Sequence, residues 1–295
     1  MLSQLAGILL PVFCLASVGY VWRKLDYPFE REFVTRMIMN VSGPCLIVSS
    51  LTRLTLPMEE FLRMVAGSVT MFVVTVAAAW IVLRLAGLSI RSYLPALAIG
   101  NTGNMGLPLC LFAFGEEGLA LAVAVYVTNS VGQFTLTPLL QSRTSPWRTL
   151  ATTPVVYGAL IGAFVLASDT PLPGWVMTTI GLLGDLMIPL MLLALGNTLG
   201  GLRANRLPFA TGWGTARLLL GFGIALGIAE LFGLQGAAKG VLILQGAMPA
   251  AIFNYLFAAR YDRDPDDIAG IVLISTFASA VTLPLLVSFV LAASA

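Results

Sequence analysis

Two asparagines, two glycines and a proline interrupt an apolar stretch that runs from about residue 93 to residue 114. Their order is Asn101-Thr102-Gly103-Asn104-Met105-Gly106-Leu107-Pro108. In the hydrocarbon of a membrane each free backbone N–H or C=O costs several kcal/mol, so non-helical backbone survives there only where it lines a protein-enclosed or water-filled cavity. The interruption therefore predicts a binding site.

The amides at this interruption could bind a polar ligand. Asn101 and Asn104 are three residues apart, so both face one cavity if the local backbone is close to helical. An amide can donate to a carboxylate, or accept from a hydroxyl or a cation. A second interruption, from Gln245 to Pro249, offers the same chemistry. The alternative is that these amides only satisfy backbone groups at a kink, and we favour binding because intramembrane polar clusters are usually functional.

The remaining candidate binding residues belong to these interruptions or lie close to the first one. Pro108, Met248 and Pro249 are part of the interruptions, although Met248 also suits a packing role. Asn129 and Gln133 are four residues apart on one helical face and would extend the polar lining. Hydrogen bonding between helices explains these two amides equally well.

Asp185 and Arg217 are the two ionisable residues placed most firmly inside apolar segments, where an unpaired charge is expensive. Asp185 could take up a coupling proton, and Arg217 could attract an anion or neutralise Asp185. A structural ion pair, or an Arg217 side chain that reaches outward to the interface, explains them equally well. Asn40 joins these candidates because it precedes Pro44 by four residues, as Asp185 precedes Pro189.

The composition is that of a polytopic membrane protein. Of the 295 residues, 58% are hydrophobic and 10% are charged, and the mean hydropathy is +0.92. Apolar blocks recur at lengths suited to helices of roughly 20 residues, which cross a bilayer core of about 30 Å. We predict an all-α fold with ten transmembrane helices, near residues 3–22, 33–51, 61–85, 93–114, 119–140, 153–167, 175–199, 208–232, 237–260 and 268–292.

Several kinds of chemistry are disfavoured by what the chain contains. Its three cysteines, Cys14, Cys45 and Cys110, lie in apolar blocks without the spacing of metal ligands, so we expect neither a disulfide framework nor a zinc site. With no histidine and no Gly-x-Ser-x-Gly motif, an intramembrane enzyme is improbable. The first block has no basic region before it and no small-residue cleavage site, so we interpret it as a retained helix. We expect no cofactor and no nucleic-acid partner.

The distribution of basic residues predicts the orientation. With the amino terminus outside, twelve basic residues lie on the cytoplasmic side: Arg23, Lys24, Arg31, Arg36, Arg84, Arg91, Arg143, Arg148, Arg203, Arg206, Arg260 and Arg263. The opposite side receives only Arg53, Arg63 and Lys239. The positive-inside rule therefore places both termini on the non-cytoplasmic side.

The two halves of the chain share their prolines and glycines. Residues match at similar offsets and in the same order: Pro11 with Pro154, Pro44 with Pro189, Gly87 with Gly233, Pro108 with Pro249, and Pro138 with Pro284. This indicates a repeat of five helices in residues 1–141 and another in 153–295, joined by a cytoplasmic linker at 142–152. An odd number of crossings inverts the second repeat, as in many secondary transporters, and brings the broken fourth and ninth helices together near the bilayer midplane.

Two segments resemble the crossovers of the auxin efflux carrier family, which includes bacterial permeases for malonate and malate. The first is Asn101 to Leu109 with the following Phe114-Gly115-Glu116-Glu117-Gly118. The second is Ala247-Met248-Pro249 with Phe257-Ala258-Ala259-Arg260-Tyr261. The likeness covers nearly the whole chain. One departure is the short linker, because the plant carriers place a long regulatory loop there. Another is Ala250-Ala251 after Pro249, because a proline stands close by in the plant carriers.

The resemblance implies a bile-acid-transporter-type fold that works as an elevator. Helices 1, 2, 6 and 7 would form a scaffold domain, and helices 3–5 and 8–10 a moving transport domain. Asn101 matches the family asparagine that contacts the substrate carboxylate. From the residues and the resemblance together, we predict a secondary transporter of a small organic anion, such as a carboxylate, in the bacterial inner membrane. Its partners would be that anion and the lipid bilayer, with a homodimer as a further expectation.

Two rival functions remain at this point. In a sodium-coupled symporter, Asn104, Gln245 and crossover carbonyls would bind the cation, so the coupling ion is either H⁺ or Na⁺, if there is one. A transporter-like sensor or channel is the other rival, and saturable flux with counterflow would argue against a channel.

Overall fold

The computed structural model describes residues 2–53, 57–141, 151–168 and 172–293. Within these ranges the chain is helical, and its only β-type pairing is a two-residue bridge. The α-helices are α1 (Leu2–Lys24), α2 (Arg31–Met37), α3 (Gly43–Thr52), α4 (Met58–Leu85), α5 (Ile90–Ala98), α6 (Leu107–Gln141), α7 (Pro154–Ser168), α8 (Gly174–Asp185), α9 (Met187–Leu199), α10 (Leu207–Leu231), α11 (Gly236–Gly246), α12 (Ile252–Tyr261) and α13 (Pro265–Ala293). Most of the predicted linker, residues 142–150, lies outside the described ranges.

Among the described residues, seven segments are long and apolar enough to cross a membrane: residues 5–24, 31–52, 58–85, 102–141, 174–199, 207–231 and 265–292. A shorter apolar helix is α7. The prediction of an all-helical, multi-pass membrane protein is therefore confirmed, whereas the number of ten crossings is not established by helix length. The difference of three has three sources: predicted helices 4 and 5 merge into the single segment 102–141, α7 is short, and the second interruption divides the predicted span 237–260 into α11 and α12.

Two π-helical turns, which carry one extra residue per turn, lie inside these segments. One is Ile38–Ser42, between α2 and α3, and the other is Thr102–Gly106, just before α6. Further along, α6 is kinked at Gly115, whose dihedral angles (φ 66°, ψ −156°) fall outside the helical region. A glycine can take this positive φ without strain. Proline follows each π turn by two residues, at Pro44 and Pro108, where it fits the first turn of a helix because no N–H is needed there.

Small residues allow close packing between several pairs of helices. Helix α1 packs along α9, and a Cβ added at Gly19 would come within 2.0 Å of the Leu193 carbonyl oxygen. The reverse contact is similar, because a Cβ at Gly196 would lie 1.8 Å from the Ala16 oxygen. Elsewhere α3 packs against α7 and α8, and α10 packs against α13. Close backbone approach of this kind is how membrane helices gain packing energy without a hydrophobic driving force between them.

Candidate functional site

The first interruption separates α5 from α6. Helix α5 starts with a serine cap, in which the Ser89 hydroxyl accepts from the backbone N–H of Ser92, and it ends at Ala98. Ile99 is extended (φ −103°, ψ 112°), and Asn101 is also non-helical (φ −79°, ψ 55°) before the π turn begins. The helix is therefore unwound mainly at residues 99–101, at the amino-terminal side of the predicted break.

The second interruption meets the first and pairs with it. Helix α11 ends at Gly246 and α12 begins at Ile252. The backbone N–H of Asn101 donates to the Pro249 carbonyl at 2.7 Å, and the N–H of Ala251 donates to the Ile99 carbonyl at 3.1 Å. These bonds form an antiparallel bridge at Gly100 and Ala250. The two unwound segments thus satisfy each other's backbone groups, which unpaired would be costly in a membrane.

A cavity lies beside this bridge, and the amino-terminal ends of the second halves of both broken helices border it. Its lining consists of Ile38, Met39, Gly100, Asn101, Thr102, Gly103, Asn104, Tyr126, Asn129, Ser130, Gln133, Phe134, Met191, Ala251 and Phe253. None of these side chains is charged. A helix amino terminus carries partial positive charge and free N–H groups. The cavity therefore offers amides, hydroxyls and positive helix ends without any carboxylate.

Asn101 and Asn104 both line the cavity, which agrees with their predicted common face. Asn101 is only 4% exposed, and its side-chain nitrogen has no hydrogen-bond partner among the described residues. Asn104 is half-buried. A buried amide without a partner costs stability unless a ligand or water supplies one. Asn101 is consequently the donor at this site best placed to receive an acceptor group from a ligand.

Asn129 lines the same cavity, but its amide is already used. Its side-chain nitrogen donates to the Gly100 carbonyl at 3.0 Å and to the Thr102 hydroxyl at 3.1 Å. Both acceptors belong to the first interruption. The described contacts of the Asn129 side chain are thus to the unwound segment, in keeping with the hydrogen-bonding alternative considered for Asn129 and Gln133.

Gln133 continues this support toward the second interruption. Its amide nitrogen donates to the side-chain oxygen of Asn254 at 3.0 Å, and Asn254 donates to the Ile99 carbonyl at 3.1 Å. Asn254 is 1% exposed and was not among the predicted site residues. Its position five residues after Pro249 is a signal that could have found it, because a polar residue that close to a break often satisfies freed backbone groups.

Four predicted binding residues do not line the cavity: Pro108, Gln245, Met248 and Pro249. Pro249 contributes its carbonyl oxygen to the bridge, and Pro108 is buried in the first turn of α6. Gln245 is fully buried, and its side chain lies against Gly106. A Cβ added at Gly106 would lie 2.1 Å from the side-chain oxygen of Gln245. Neither polar atom of its amide has a partner within the described ranges. The second interruption therefore reaches the cavity through Ala251 and Phe253 instead.

Arg217 lies behind the bridge and does not pair with Asp185. It is 3% exposed, so its side chain does not reach outward. One terminal guanidinium nitrogen donates to the carbonyls of Leu97 (3.3 Å) and Ala98 (3.4 Å), and the other terminal nitrogen donates to Gly246 (3.2 Å). The third nitrogen, Nε, has no hydrogen-bond partner among the described residues. Asp185 is exposed at the end of α8. The suggested ion pair between these two residues is wrong, and Arg217 is instead neutralised by backbone carbonyls.

Asn40, one of the predicted candidates, is exposed and does not line the cavity, whereas its neighbours Ile38 and Met39 do.

The remaining cavity residues were not singled out from the sequence. Tyr126 and Ser130 belong to the helical face that also carries Asn129 and Gln133, so helical periodicity could have found them. Phe253 and Met191 close the cavity from α12 and α9, and nothing in the local sequence marks them.

Comparison with known proteins places the chain among membrane transporters. The family model described as "membrane transport protein" matches residues 6–141 and 138–287. An uncharacterised transporter of Methanothermobacter thermautotrophicus is 29% identical over 294 residues, with 94% of this chain and 95% of that protein covered. A Rhizobium meliloti protein provisionally named as a malonate transporter is 25% identical over 309 residues, with 95% and 94% covered.

A third relative is an uncharacterised transporter of Methanocaldococcus jannaschii, which is 27% identical over 200 residues. That match covers 63% of this chain and 64% of the relative. The family model accounts for nearly all of the described residues, and it agrees with the apolar helices and the resemblance at the two interruptions. The chain belongs to the membrane transport protein family, which is the auxin efflux carrier family.

Proposed function

We propose that this chain is a secondary carrier of small organic anions, with dicarboxylates such as malonate as the first class to test. The observation that carries the proposal is the cavity bordered by the amino-terminal ends of two broken helices. Its lining has amide and hydroxyl groups and no acidic side chain. Positive helix ends and neutral donors favour an anion over a cation. The relative provisionally named as a malonate transporter supports this choice of substrate class.

A carboxylate would bind with one oxygen at the free amide of Asn101. Asn104, on the same side of the cavity, would donate to another oxygen of the substrate. Asn129 and Gln133 would hold the unwound backbone in place, because their amides already bond to Gly100, Thr102 and Asn254. A charged acceptor forms stronger hydrogen bonds than a neutral one, so the same donors would select an ionised carboxylate over a neutral acid.

The cavity must widen to hold such a substrate. The space in which the centre of a water molecule fits is about 30 Å³, and one water needs roughly 10–15 Å³ on this measure. There is thus room for about two waters and not for a dicarboxylate. Met191 of α9 and Phe253 of α12 both line this space, and their helices would belong to different domains. Movement of one domain against the other would open it.

An elevator built from two inverted five-helix repeats would supply this movement. Ten crossings follow if the α5–α6 and α11–α12 pairs each cross once, α6 turns at Gly115, and α7 also spans. The packing of α1 along α9, and of α3 on α7 and α8, supports a scaffold of the predicted helices 1, 2, 6 and 7. The bridge between the interruptions supports their movement as one body. We place both termini outside the bacterial inner membrane, because the basic residues then face the cytoplasm.

Transport by purified protein in proteoliposomes tests the function directly. Uptake of labelled malonate, malate and acetate should saturate and should show counterflow, which would also exclude a channel. Asn101→Ala and Pro108→Ala should both slow it, the first by weakening substrate binding and the second by disturbing the start of α6. Asn205→Ala is the matched control, since Asn205 is exposed outside the cavity. Wild-type rates in both site variants would contradict the site assignment.

A further inference from the structure

Arg217 is a buried cation at the point where the two broken helices end. It lies on α10 and is 3% exposed. Its guanidinium donates to Leu97 and Ala98, in the last turn of α5, and to Gly246, the last residue of α11. A single side chain therefore contacts the carboxyl-terminal ends of the first halves of both broken helices.

The positive charge of Arg217 is offset without an acidic side chain. A helix end carries about half a unit of negative charge at its carboxyl terminus, so two such ends together offset about one positive charge. The ion pairs found within the described ranges involve Arg36, Arg63, Arg206 and Lys239, and none involves Arg217. The backbone of the two half-helices is thus the counter-ion of Arg217.

The surrounding backbone is shaped to admit the guanidinium. A Cβ at Gly100 would lie 2.3 Å from one terminal nitrogen of Arg217, and a Cβ at Gly221 would lie 3.1 Å from the other. Both positions are glycines, one in the first interruption and one a turn further along α10. Any larger residue at Gly100 would displace the side chain. The position is therefore fitted to a large planar cation that bonds to several carbonyls at once.

We infer that Arg217 is a built-in cation that joins the carboxyl-terminal ends of both broken helices and fills the place where a coupling sodium ion would bind. This inference rests on the carrier function proposed above. In carriers with broken helices, the carbonyls at half-helix carboxyl ends are the groups that coordinate a coupling sodium. Here those of Leu97, Ala98 and Gly246 are already occupied by hydrogen bonds from Arg217. The carrier thus needs no sodium for transport, and Arg217 acts as a positioning residue for the substrate cavity on the other side of the bridge.

The first test uses the wild-type protein, and its melting-temperature measurement does not require a known substrate. The melting temperature of the purified protein is measured in sodium chloride and in N-methylglucamine chloride at the same ionic strength. A coupling ion at a hundred times its Kd would raise the melting temperature by roughly 5–10 °C, whereas we expect no shift. Carboxylate uptake in the two media should also agree within about twofold. A sodium-dependent rise in either quantity overturns the inference.

The second test changes the cation itself. Arg217→Lys keeps a charge that can bond to part of the carbonyl set, and Arg217→Met keeps much of the volume without the charge. We expect the melting temperature to fall far more for Arg217→Met than for Arg217→Lys, with Arg203→Met at an exposed position as the control. If Arg217→Met does not fold at all, that result agrees with the expected larger loss of stability for Arg217→Met. If Arg217→Lys and Arg217→Met lower the melting temperature equally, the charge of Arg217 has no role.

Different results would contradict the proposed carrier function and the inference about Arg217. If no carboxylate is transported in either medium while the melting temperature is indifferent to sodium and the Lys and Met variants differ as expected, the proposed substrate class is wrong and the inference about Arg217 stands. If carboxylates are transported only with sodium, the carrier function stands and Arg217 does not replace the coupling ion.

Discussion

At the two interruptions, the carboxyl-terminal helix ends and the amino-terminal helix ends have opposite surroundings. The carboxyl ends of α5 and α11 converge on Arg217, which bonds to Leu97, Ala98 and Gly246. The amino ends of the second halves instead border a cavity with uncharged polar side chains, including the free amide of Asn101. Negative helix ends have therefore been neutralised inside the protein, while positive ends remain available to a ligand.

Under the proposed function, this difference would allow the two interruptions to select an anion. Four half-helix ends meeting in one place would present positive and negative poles of similar size. Arg217 on the carboxyl side would offset the negative poles, which would leave the positive poles to act on the cavity. The proposed selectivity would then come mainly from the arrangement of the backbone, with a few amides to orient the substrate.

The largest expected effect is on stability, when a side chain is added at the close backbone contact between α10 and the carboxyl end of α11. A Cβ at Gly221 would lie 2.1 Å from the Gly246 carbonyl oxygen, whereas at Gly223, on the same helix, nothing lies within 4 Å. Gly221→Ala should lower the free energy of unfolding by about 3 kcal/mol or more, because backbone must move. Gly223→Ala should be neutral or stabilise by up to about 1 kcal/mol. Thermal unfolding in detergent measures both, and equal stabilities would contradict the contact.

On the cavity side, alanine substitutions of two asparagines should affect stability and substrate binding differently. Asn129→Ala leaves the Gly100 carbonyl without its side-chain donor and should cost about 1–3 kcal/mol of stability. Asn101→Ala removes an amide nitrogen that has no hydrogen-bond partner in the described part of the chain, so stability should stay near wild type while the Kd for a carboxylate rises about 10- to 100-fold. Melting curves and equilibrium binding on the same preparations separate the two effects. The comparison breaks if Asn101→Ala is the less stable variant.

A smaller effect is expected from the amide pair that links the two interruptions. Gln133→Met removes the donor to Asn254 and should destabilise by about 1 kcal/mol, the net worth of an ordinary hydrogen bond. Because each single variant already breaks the same Gln133–Asn254 bond, the double variant Gln133→Met with Asn254→Leu should lose less than the sum of the two single losses. Strict additivity in a double-mutant cycle would show that the pair is not coupled.

The smallest effect is expected at Asp185. This residue is exposed, lies outside the cavity lining and makes no ion pair with Arg217. Asp185→Asn should change stability by no more than about 0.5 kcal/mol and should leave the pH dependence of uptake unchanged. Uptake across a series of imposed pH gradients checks this. A pH dependence abolished by Asp185→Asn would identify Asp185 as the coupling carboxyl after all.

The sequence predicted the place of the site better than the direction of its side chains. Amides next to glycine and proline located both interruptions, because polar side chains beside helix-breaking residues indicate freed backbone groups inside a spanning segment, and Asn101 and Asn104 do line the cavity. The orientation of Gln245 and Met248 away from it depends on the antiparallel bridge at Gly100 and Ala250. That bridge joins residues 150 positions apart, so no local pattern could indicate which face of each segment would be covered.

The role of Arg217 could not be predicted for a related reason. A charged residue in an apolar helix suggests a charged partner, and Asp185 was the only carboxylate placed as firmly inside a span. Its actual partners are three backbone carbonyls, which no residue type marks. The sequence could therefore indicate that Arg217 needed neutralisation, but only the three-dimensional position of α5 and α11 identified the groups that provide it.

The most direct test of the central claim is the binding of labelled malonate to purified wild-type protein and to Asn101→Asp. The substitution keeps the size of the side chain and places a negative charge between the two positive helix ends. We expect saturable malonate binding by the wild type and loss of that binding in Asn101→Asp, which should remain folded. Malonate binding of equal strength by wild type and Asn101→Asp would contradict an anion site at the amino ends of the broken helices.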